Sequence, residues 1–347
     1  MATSLPTLFR GLSAVLLALV LTAVGVRTYL QSDMTGVMGT GTGPSTVVYI
    51  KPKIGVQEIA QTLRDAGVIQ NRWAFLALAY VQGSLTRLHA GEYEFTHGMS
   101  LLEILRKLEA GRVITHQVTI PEGFTAQDIA RLLAGERLVD AARFTALVKD
   151  AKFAESVGVP AGSLEGYLFP DTYRLTRGMG EEEILRIMVG RFRQAVPKDI
   201  ESQAQRLGLD VRSVVTLASL IEKEAKLNSE RPVVAGVFYN RLRRNMPLQS
   251  DPTAVYGAVD PRHRITPLDL RRRNPYNTYL KAGLPPGPIA NPGLASLMAA
   301  LNPAHVNFLY FVAKNDGSHF FSRTLEQHLQ AVRKYQARGE VSGDRGS

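Results

Sequence analysis

The stretch Val211-Arg-Ser-Val-Val-Thr-Leu-Ala-Ser-Leu-Ile-Glu-Lys-Glu-Ala-Lys-Leu227 limits what this chain can fold into more than any other. Val214, Leu217, Ala218, Ile221 and Ala225 recur at helical spacing and make one apolar stripe, which other elements have to cover. Asp210 follows the helix stopper Gly208 and sits where an N-cap acceptor belongs, with Pro197 to Leu207 reading as the preceding helix. At roughly 100° per residue, Glu222 and Glu224 fall on opposite shoulders of the stripe, each about 80° from its centre. Lys223 points away. Carboxylates bordering a buried face are placed for desolvation to raise a pKa towards neutrality, which a general acid needs. A solvated rim, with Glu222 and Lys226 as an i,i+4 pair, has the same pattern, and the helix alone does not choose.

Composition narrows the classes. At 347 residues the chain can hold two or three domains. Its net charge of +10 has no single long basic run, peaks at Arg241–Arg244 and Arg262–Arg273, and favours polyanions without choosing among them. Basic residues are not interleaved with aromatics as in nucleic-acid modules, so nucleic acid is not an expected partner. With no cysteine, disulfides, thiolate metal sites and a Cys nucleophile are excluded. His305, His319 and His328 lack metal-ligand spacing and read as structural. No phosphate-binding loop, dinucleotide fingerprint or serine elbow occurs. No cofactor or metal is expected.

The N-terminus offers a second constraint. After a tail at 1–10, Gly11 to Val26 runs about sixteen residues without a charge, and Thr28-Tyr-Leu30 extends it if Arg27 snorkels. It reads as a transmembrane anchor over 11–30 or the core of a secretory signal, with Ala23-Val-Gly25 as a small-x-small cleavage site. Either outcome exports the bulk of the chain. A retained anchor, tail in the cytoplasm, is the expectation. Residues 31–46, rich in Gly, Thr and Ser, form a flexible linker.

Val47–Ile50 then reads as a strand, 56–66 and 71–82 as helices, Ala90–Phe95 as a strand and 99–110 as a helix started by Ser100. These make a small α+β module over 47–115. Val118-Thr-Ile-Pro-Glu-Gly123 and the helix after it echo its strand-Pro-Gly-helix opening and introduce a domain over 116–338. Helices are expected at 140–158, 181–195, 231–243, 293–301 and 324–338, with a hairpin pairing 308–312 and 319–322. Residues 339–347 read as a disordered tail.

Between these helices lie Met246-Pro-Leu-Gln-Ser-Asp-Pro-Thr-Ala-Val-Tyr256, Asn274-Pro-Tyr-Asn-Thr-Tyr-Leu280 and Gly283-Leu-Pro-Pro-Gly-Pro-Ile-Ala-Asn-Pro-Gly293. So many prolines and glycines exclude helix and central strand. They leave ordered loops presenting amides, hydroxyls and tyrosines, the chemistry of a glycan cleft. Gln249, Asp251, Asn277 and Tyr279 are the candidate glycan contacts, with Tyr256 and Tyr276 behind them. Asp251 is also a candidate second acid/base or turn cap. The aromatic segment 162–173 reads equally as groove or as loop packing.

Leu217-Ala-Ser-Leu-Ile-Glu-Lys-Glu-Ala225 resembles the catalytic helix of the endolytic murein transglycosylases, the MltG/YceG-like family. So do Ser229-Glu-Arg231, Val237-Phe-Tyr-Asn-Arg-Leu242, Leu248-Gln-Ser-Asp-Pro-Thr253, Tyr276-Asn-Thr-Tyr279, Gly283-Leu-Pro-Pro-Gly-Pro-Ile289 and His319-Phe-Phe-Ser322. The resemblance covers nearly the whole chain, with Leu220 and Ser250 as conservative departures. It implies an α+β protein: a single transmembrane helix, a LysM-like module, then a mainly helical, lysozyme-like catalytic domain with a short β-hairpin. It implies Glu222 as the catalytic acid, with Ser219 in support and Glu224 either supporting or merely exposed; the helical wheel does not decide between the two glutamates.

The implied activity is cleavage of the β-1,4 bond between N-acetylmuramic acid and N-acetylglucosamine inside nascent peptidoglycan, leaving 1,6-anhydro ends and limiting strand length. The expected site of action is the periplasmic face of the bacterial inner membrane. Expected partners are glycan strands, the cytoplasmic membrane and peptidoglycan synthases such as penicillin-binding proteins. The competing reading is a non-catalytic, membrane-anchored peptidoglycan-binding scaffold that keeps an enzyme's fold without its chemistry.

Overall fold

Alternation of β-branched and aromatic residues in Thr46–Ile50 (β1) and Gly91–Phe95 (β2) produces an antiparallel pair in which Val48 faces Tyr93 and Ile50 faces Gly91. The structure, a computed structural model, describes residues 45–257 and 265–336. These residues divide into two units, one comprising the chain up to His116 with Arg174–Met179, the other Gln117–Tyr173 with the chain from Gly180. Both mix helices with two-stranded sheets. The apolar segment Gly11–Val26 and the linker as far as residue 44 lie outside the described residues, and Thr46, expected as the linker's last residue, opens β1 instead. Among the described residues no helix is long and apolar enough to cross a membrane.

In the first unit, helices α1 (Val56–Asp65), α2 (Arg72–Val81) and α3 (Leu101–Glu109) pack on the β1–β2 pair. Asn71 caps α2 by accepting from the N–H groups of Trp73 and Ala74, and Ser100 with Glu103 closes a capping box on α3. Ile59, Leu63, Phe75, Leu78, Tyr93, Phe95, Leu105 and Leu108 fill the core. Each such side chain contributes roughly 1.5–3 kcal/mol relative to exposure.

The second unit carries β3 (His116–Thr119) from Gln117 on, α4 (Ala126–Gly135), α5 (Ala141–Val148), α6 (Ala151–Ser156), β4 (Thr172–Leu175) as far as Tyr173, α7 (Glu181–Ala195) and α8 (Ile200–Arg206). It continues with α9 (Val211–Glu224), α10 (Arg231–Arg243), α11 (Asp251–Val255), α12 (Leu294–Leu301), β5 (Tyr310–Ala313), β6 (His319–Ser322) and α13 (Leu325–Tyr335). β3 pairs with β4, and β5 with β6 antiparallel, Phe311 opposite Phe321.

The segment 140–158 is two helices rather than one. Asp150 accepts from the N–H groups of Lys152 and Phe153, and so starts α6 afresh. The 162–173 segment ends in strand β4, and the Pro-rich 246–256 excursion folds one short helix, α11, with Pro252 in its first turn.

Helix α9 sits at the centre of this unit. Asp210 caps it through the N–H of Ser213, and every residue from Val214 to Ile221 is buried. It is therefore covered on more than the one stripe its spacing defines, by α10 and α12 among others. It stops at Glu224 because Ala225 is extended (φ −91°, ψ 115°). The second glutamate thus stands at the last helical position, where the chain turns away.

Candidate active site

Three groupings of polar side chains surround α9 and the loops it faces. The first centres on Glu222, whose side chain is only 6% exposed. Its Oε2 accepts from Arg231 Nη1 at 2.8 Å and from the Gly293 N–H at 3.0 Å. Arg231, also buried, donates to Asn228 Oδ1 and to Ser296 Oγ. Glu122 stands beside this pair, 3.8 Å from Arg231. Burial and then the Glu222 charge push its carboxyl up, against the pull of Arg231. A β-carbon at Gly293 would lie 1.8 Å from Glu122 Oε1, so this backbone approach requires glycine.

The second centres on Glu224. Ser250 Oγ donates to its Oε1 at 2.5 Å, and the residue remains partly exposed. Burial pushes its carboxyl up to about 7, the Asp251 charge adds to the rise, and the Ser250 hydrogen bond and Arg241 oppose it. Tyr279 Oη donates to Asp251 Oδ1 at 2.5 Å. Gln249 has a left-handed backbone (φ 49°), which costs a non-glycine residue on the order of 1 kcal/mol or more. It is held by its own N–H to Thr278 O at 3.1 Å, while its Oε1 accepts from Arg241 at 3.3 Å. Arg241 is buried, donates to Leu248 O at 2.8 Å and to Leu309 O at 2.6 Å, and so fastens the 247–249 loop to the scaffold. Beneath it the buried hydroxyls of Thr253 and Thr278 bond each other and hold the Ser250 backbone, whose N–H donates to Thr278 Oγ1 and whose carbonyl accepts from Thr253 Oγ1.

The third centres on Glu165. Its carboxylate accepts from the Ala126 N–H at 3.0 Å, from Asn291 Nδ2 at 3.0 Å and from Tyr256 Oη at 3.0 Å. Burial still pushes it up to about 7 against these donors. Asn291 also accepts from the N–H groups of Gly166 and Leu168, while its own backbone bonds Phe124 and Gly123. It therefore pins the Pro-Gly turn that delivers the Gly293 N–H to Glu222.

The structure thus sorts the residues singled out from the sequence. Glu224, Asp251, Tyr279 and Gln249 come together. Glu222 lies in the neighbouring ion pair. The rings of Tyr256 and Tyr276 pack at 4.6 Å with their planes tilted by 50°, and Tyr256 reaches Glu165. Asn277 is buried, its amide donating to the carbonyls of Leu270 and Arg272 and its Oδ1 accepting from the Tyr279 N–H, so it shapes the loop that carries Tyr279. Ser219 is buried too, donating to Thr216 O and accepting from the Ile289 N–H.

Sequence reasoning missed Arg231, Arg241, Glu165, Asn291 and Glu122. For the two arginines a signal existed. Arg231, Val234, Phe238 and Arg241 fall at i, i+3, i+7 and i+10, so the arginines share the apolar stripe of α10 and had to be buried with partners. For Glu165 and Asn291, in irregular segments, no periodicity exists. A shallow cleft of about 380 Å³ beside Asp171, Tyr173 and Arg191 has no poised acid, since Arg191 holds Asp171 below its usual range. Among the described residues no cluster of His, Cys, Asp or Glu could hold a metal ion.

The YceG-like family model matches residues 48–334. An endolytic murein transglycosylase of Bacillus subtilis is 36% identical over 296 residues, covering 81% of this chain and 82% of the relative. A Streptococcus pneumoniae protein of the same name is 32% identical over 315 residues, covering 81% of this chain and 56% of its own length. The 2.6 Å crystal structure of a yceG-like protein from Listeria monocytogenes is 33% identical and superimposes with a TM-score of 0.58, over 84% of this chain and all of that one. With its capped central helix, paired glutamates and proline-rich loops matched over most of its length, the chain belongs to the YceG-like family.

Proposed function

We propose that this chain is a membrane-anchored, endolytic peptidoglycan lytic transglycosylase in which Glu224, rather than Glu222, carries the proton. The observation behind that choice is the difference between the two carboxyl groups. Oε2 of Glu222 already accepts from a guanidinium and a backbone N–H, which suits an acceptor fixed in an ion pair. Among the described residues Glu224 has no such pair; it is pushed up to about 7, and touches the loop that carries Ser250 and Asp251, with the Tyr279 hydroxyl reached through Asp251. The names of the relatives support the substrate class.

The chemistry then needs one carboxyl group. Glu224, protonated, donates to the glycosidic oxygen between N-acetylmuramic acid and N-acetylglucosamine as the C1–O bond breaks, and the muramyl N-acetyl group stabilises the cationic centre. The Glu224 carboxylate next removes the proton of the C6 hydroxyl, whose oxygen bonds C1 and closes a 1,6-anhydro ring. No water is consumed and the carboxyl is regenerated. Gln249, Asp251 and Tyr279 line the approach as glycan contacts, and Tyr256 with Tyr276 supports the loop behind them.

Mass analysis of the strand ends released from purified sacculi tests this. Anhydro-muramic ends are expected from wild type and Glu222→Gln, and a loss of at least about 100-fold from Glu224→Gln. Reducing muramic ends would identify a hydrolase. Full activity of Glu224→Gln would refute the assignment. Wild-type protein that releases nothing would favour the non-catalytic scaffold.

A further inference from the structure

Helix α2, Arg-Trp-Ala-Phe-Leu-Ala-Leu-Ala-Tyr-Val, is apolar around its whole circumference, but only half of it is used by the core. Ala74, Phe75, Leu78 and Ala79 are buried. On the opposite arc Trp73 is 65% exposed, Tyr80 74% and Val81 72%, with Ala77 between them and Leu85 exposed in the turn beyond. At roughly 100° per residue, Trp73, Ala77 and Tyr80 lie within about 60° of one another. Exposed apolar arcs of this kind mark interaction surfaces.

We propose that this arc docks the N-terminal unit onto the anionic surface of the membrane, with α2 lying in the interface. The inference rests on the reading of Gly11–Val26 as an anchor. At ten residues α2 is about 15 Å long, half of what a span needs, so it lies on a bilayer rather than across it. Trp and Tyr on one face with aliphatic residues between them are what the headgroup level accommodates.

The surrounding charge is complementary to an anionic surface. No Asp or Glu occurs between Asp65 and Glu92, whereas Arg72, Arg87 and His89 do. The Arg72 guanidinium lies 4.7 Å over the Trp73 ring. The turn after α2 brings Arg87 and His89 to an open cleft of about 640 Å³ shared with Arg106, Glu109 and Arg112. Glu109, the acid there, is engaged by Arg87 at 2.9 Å and Ser84 Oγ at 2.6 Å. Arg106 and Arg112 are exposed, and their guanidinium groups pair with no other described residue, so they are free to meet lipid phosphates.

The linker fits. Eighteen residues separate Val26 from Ser45 in sequence, so the unit is tethered no more than about 60 Å from the apolar segment. A glycan platform fits less well, because the arc offers aliphatic side chains where sugar hydroxyls would want hydrogen-bonding ones, and Asn71 spends its Oδ1 on the α2 cap.

Trp73 is the only tryptophan in the chain, so its emission reports this face alone. The full-length chain would be reconstituted into phosphatidylcholine–phosphatidylglycerol vesicles carrying phosphatidylcholine brominated near the headgroup or near the acyl terminus. Emission blue-shifted from the detergent-free unfolded reference, quenched about twofold or more by the shallow bromines and less by the deep ones, is expected. Tyr80→Asp with Val81→Asp should abolish that quenching while the protein still floats with the vesicles. Flotation with water-like, bromine-insensitive emission overturns the docking and leaves the anchor standing. A shift produced by soluble glycan strands, or by raising protein concentration, without bromine quenching assigns the face to sugar or to a second copy and overturns it too. A chain that does not float removes the anchor, and the docking with it.

Discussion

Ser250 Oγ donates to Glu224 Oε1 at 2.5 Å across 26 positions of sequence, joining the end of α9 to the start of α11. This bond stabilises the carboxylate form, while burial and the neighbouring Asp251 charge oppose it, and the balance leaves the group at about 7. The site is therefore tuned by a hydroxyl and a carboxylate adjacent in sequence.

A pH profile follows with a definite sign. The proposed acid works protonated, so the rate should fall as pH rises through about 7. Ser250→Ala removes the bond that holds Glu224 down and should move that midpoint to higher pH. Asp251→Asn removes a charge that pushes it up and should move the midpoint to lower pH. Shifts of the same sign in both variants would show that another group sets the limb; turnover of defined glycan strands between pH 5 and 9 reads it.

Much of this was legible from residue type and spacing. Asp210 announced the start of α9 and Ser100 that of α3, because capping is local chemistry. The loops of 274–293 could be neither helix nor strand for covalent reasons. What spacing could not supply was partner identity. Glu222 and Glu224 are symmetric on a helical wheel, and partners distant in sequence, such as Arg231, nine positions on, and Ser250, 26 positions on, make them different. Asp150 restarting a helix inside 140–158 was overlooked, although it is an N-cap type residue in view. The return of Arg174–Met179 to the first unit, where Arg177 pairs with Glu92, depends on a long-range contact that no periodicity encodes.

Arg231→Met should destabilise the fold by about 3 kcal/mol, because it leaves the Glu222 carboxylate buried without its cation. Adding Glu222→Gln to that variant should recover most of the loss. Urea unfolding of the single and double variants measures this, and a double variant as unstable as Arg231→Met alone would mean that packing rather than charge is lost.

Gly293→Ala should disturb both neighbouring carboxylates. Its β-carbon would sit 1.8 Å from Glu122 Oε1, so Glu122 or the turn must move, and the turn carries the N–H that Glu222 accepts. A loss of about 1–3 kcal/mol is expected, largely relieved by Glu122→Ala in the same chain. Thermal unfolding of the pair checks it; no relief would place the clash on the backbone instead.

Glu165 makes stability depend on pH in the direction opposite to a salt-bridged acid. Its carboxyl rises from 4.5 to about 7 on folding, so the folded chain holds a proton that the unfolded chain has released between those values. Its favourable contribution is full below about 4.5, declines as pH rises, and is lost above about 7. Glu224 adds a second slope of the same sign in the same window. Glu165→Gln should remove one of these slopes and leave the other, so that stability falls less steeply from pH 5 to 7 than in wild type. Chemical unfolding at half-unit pH intervals measures the change, and an unaltered slope in Glu165→Gln would show that Glu165 is ionised throughout, its charge fully met by the Ala126 N–H, Asn291 and Tyr256.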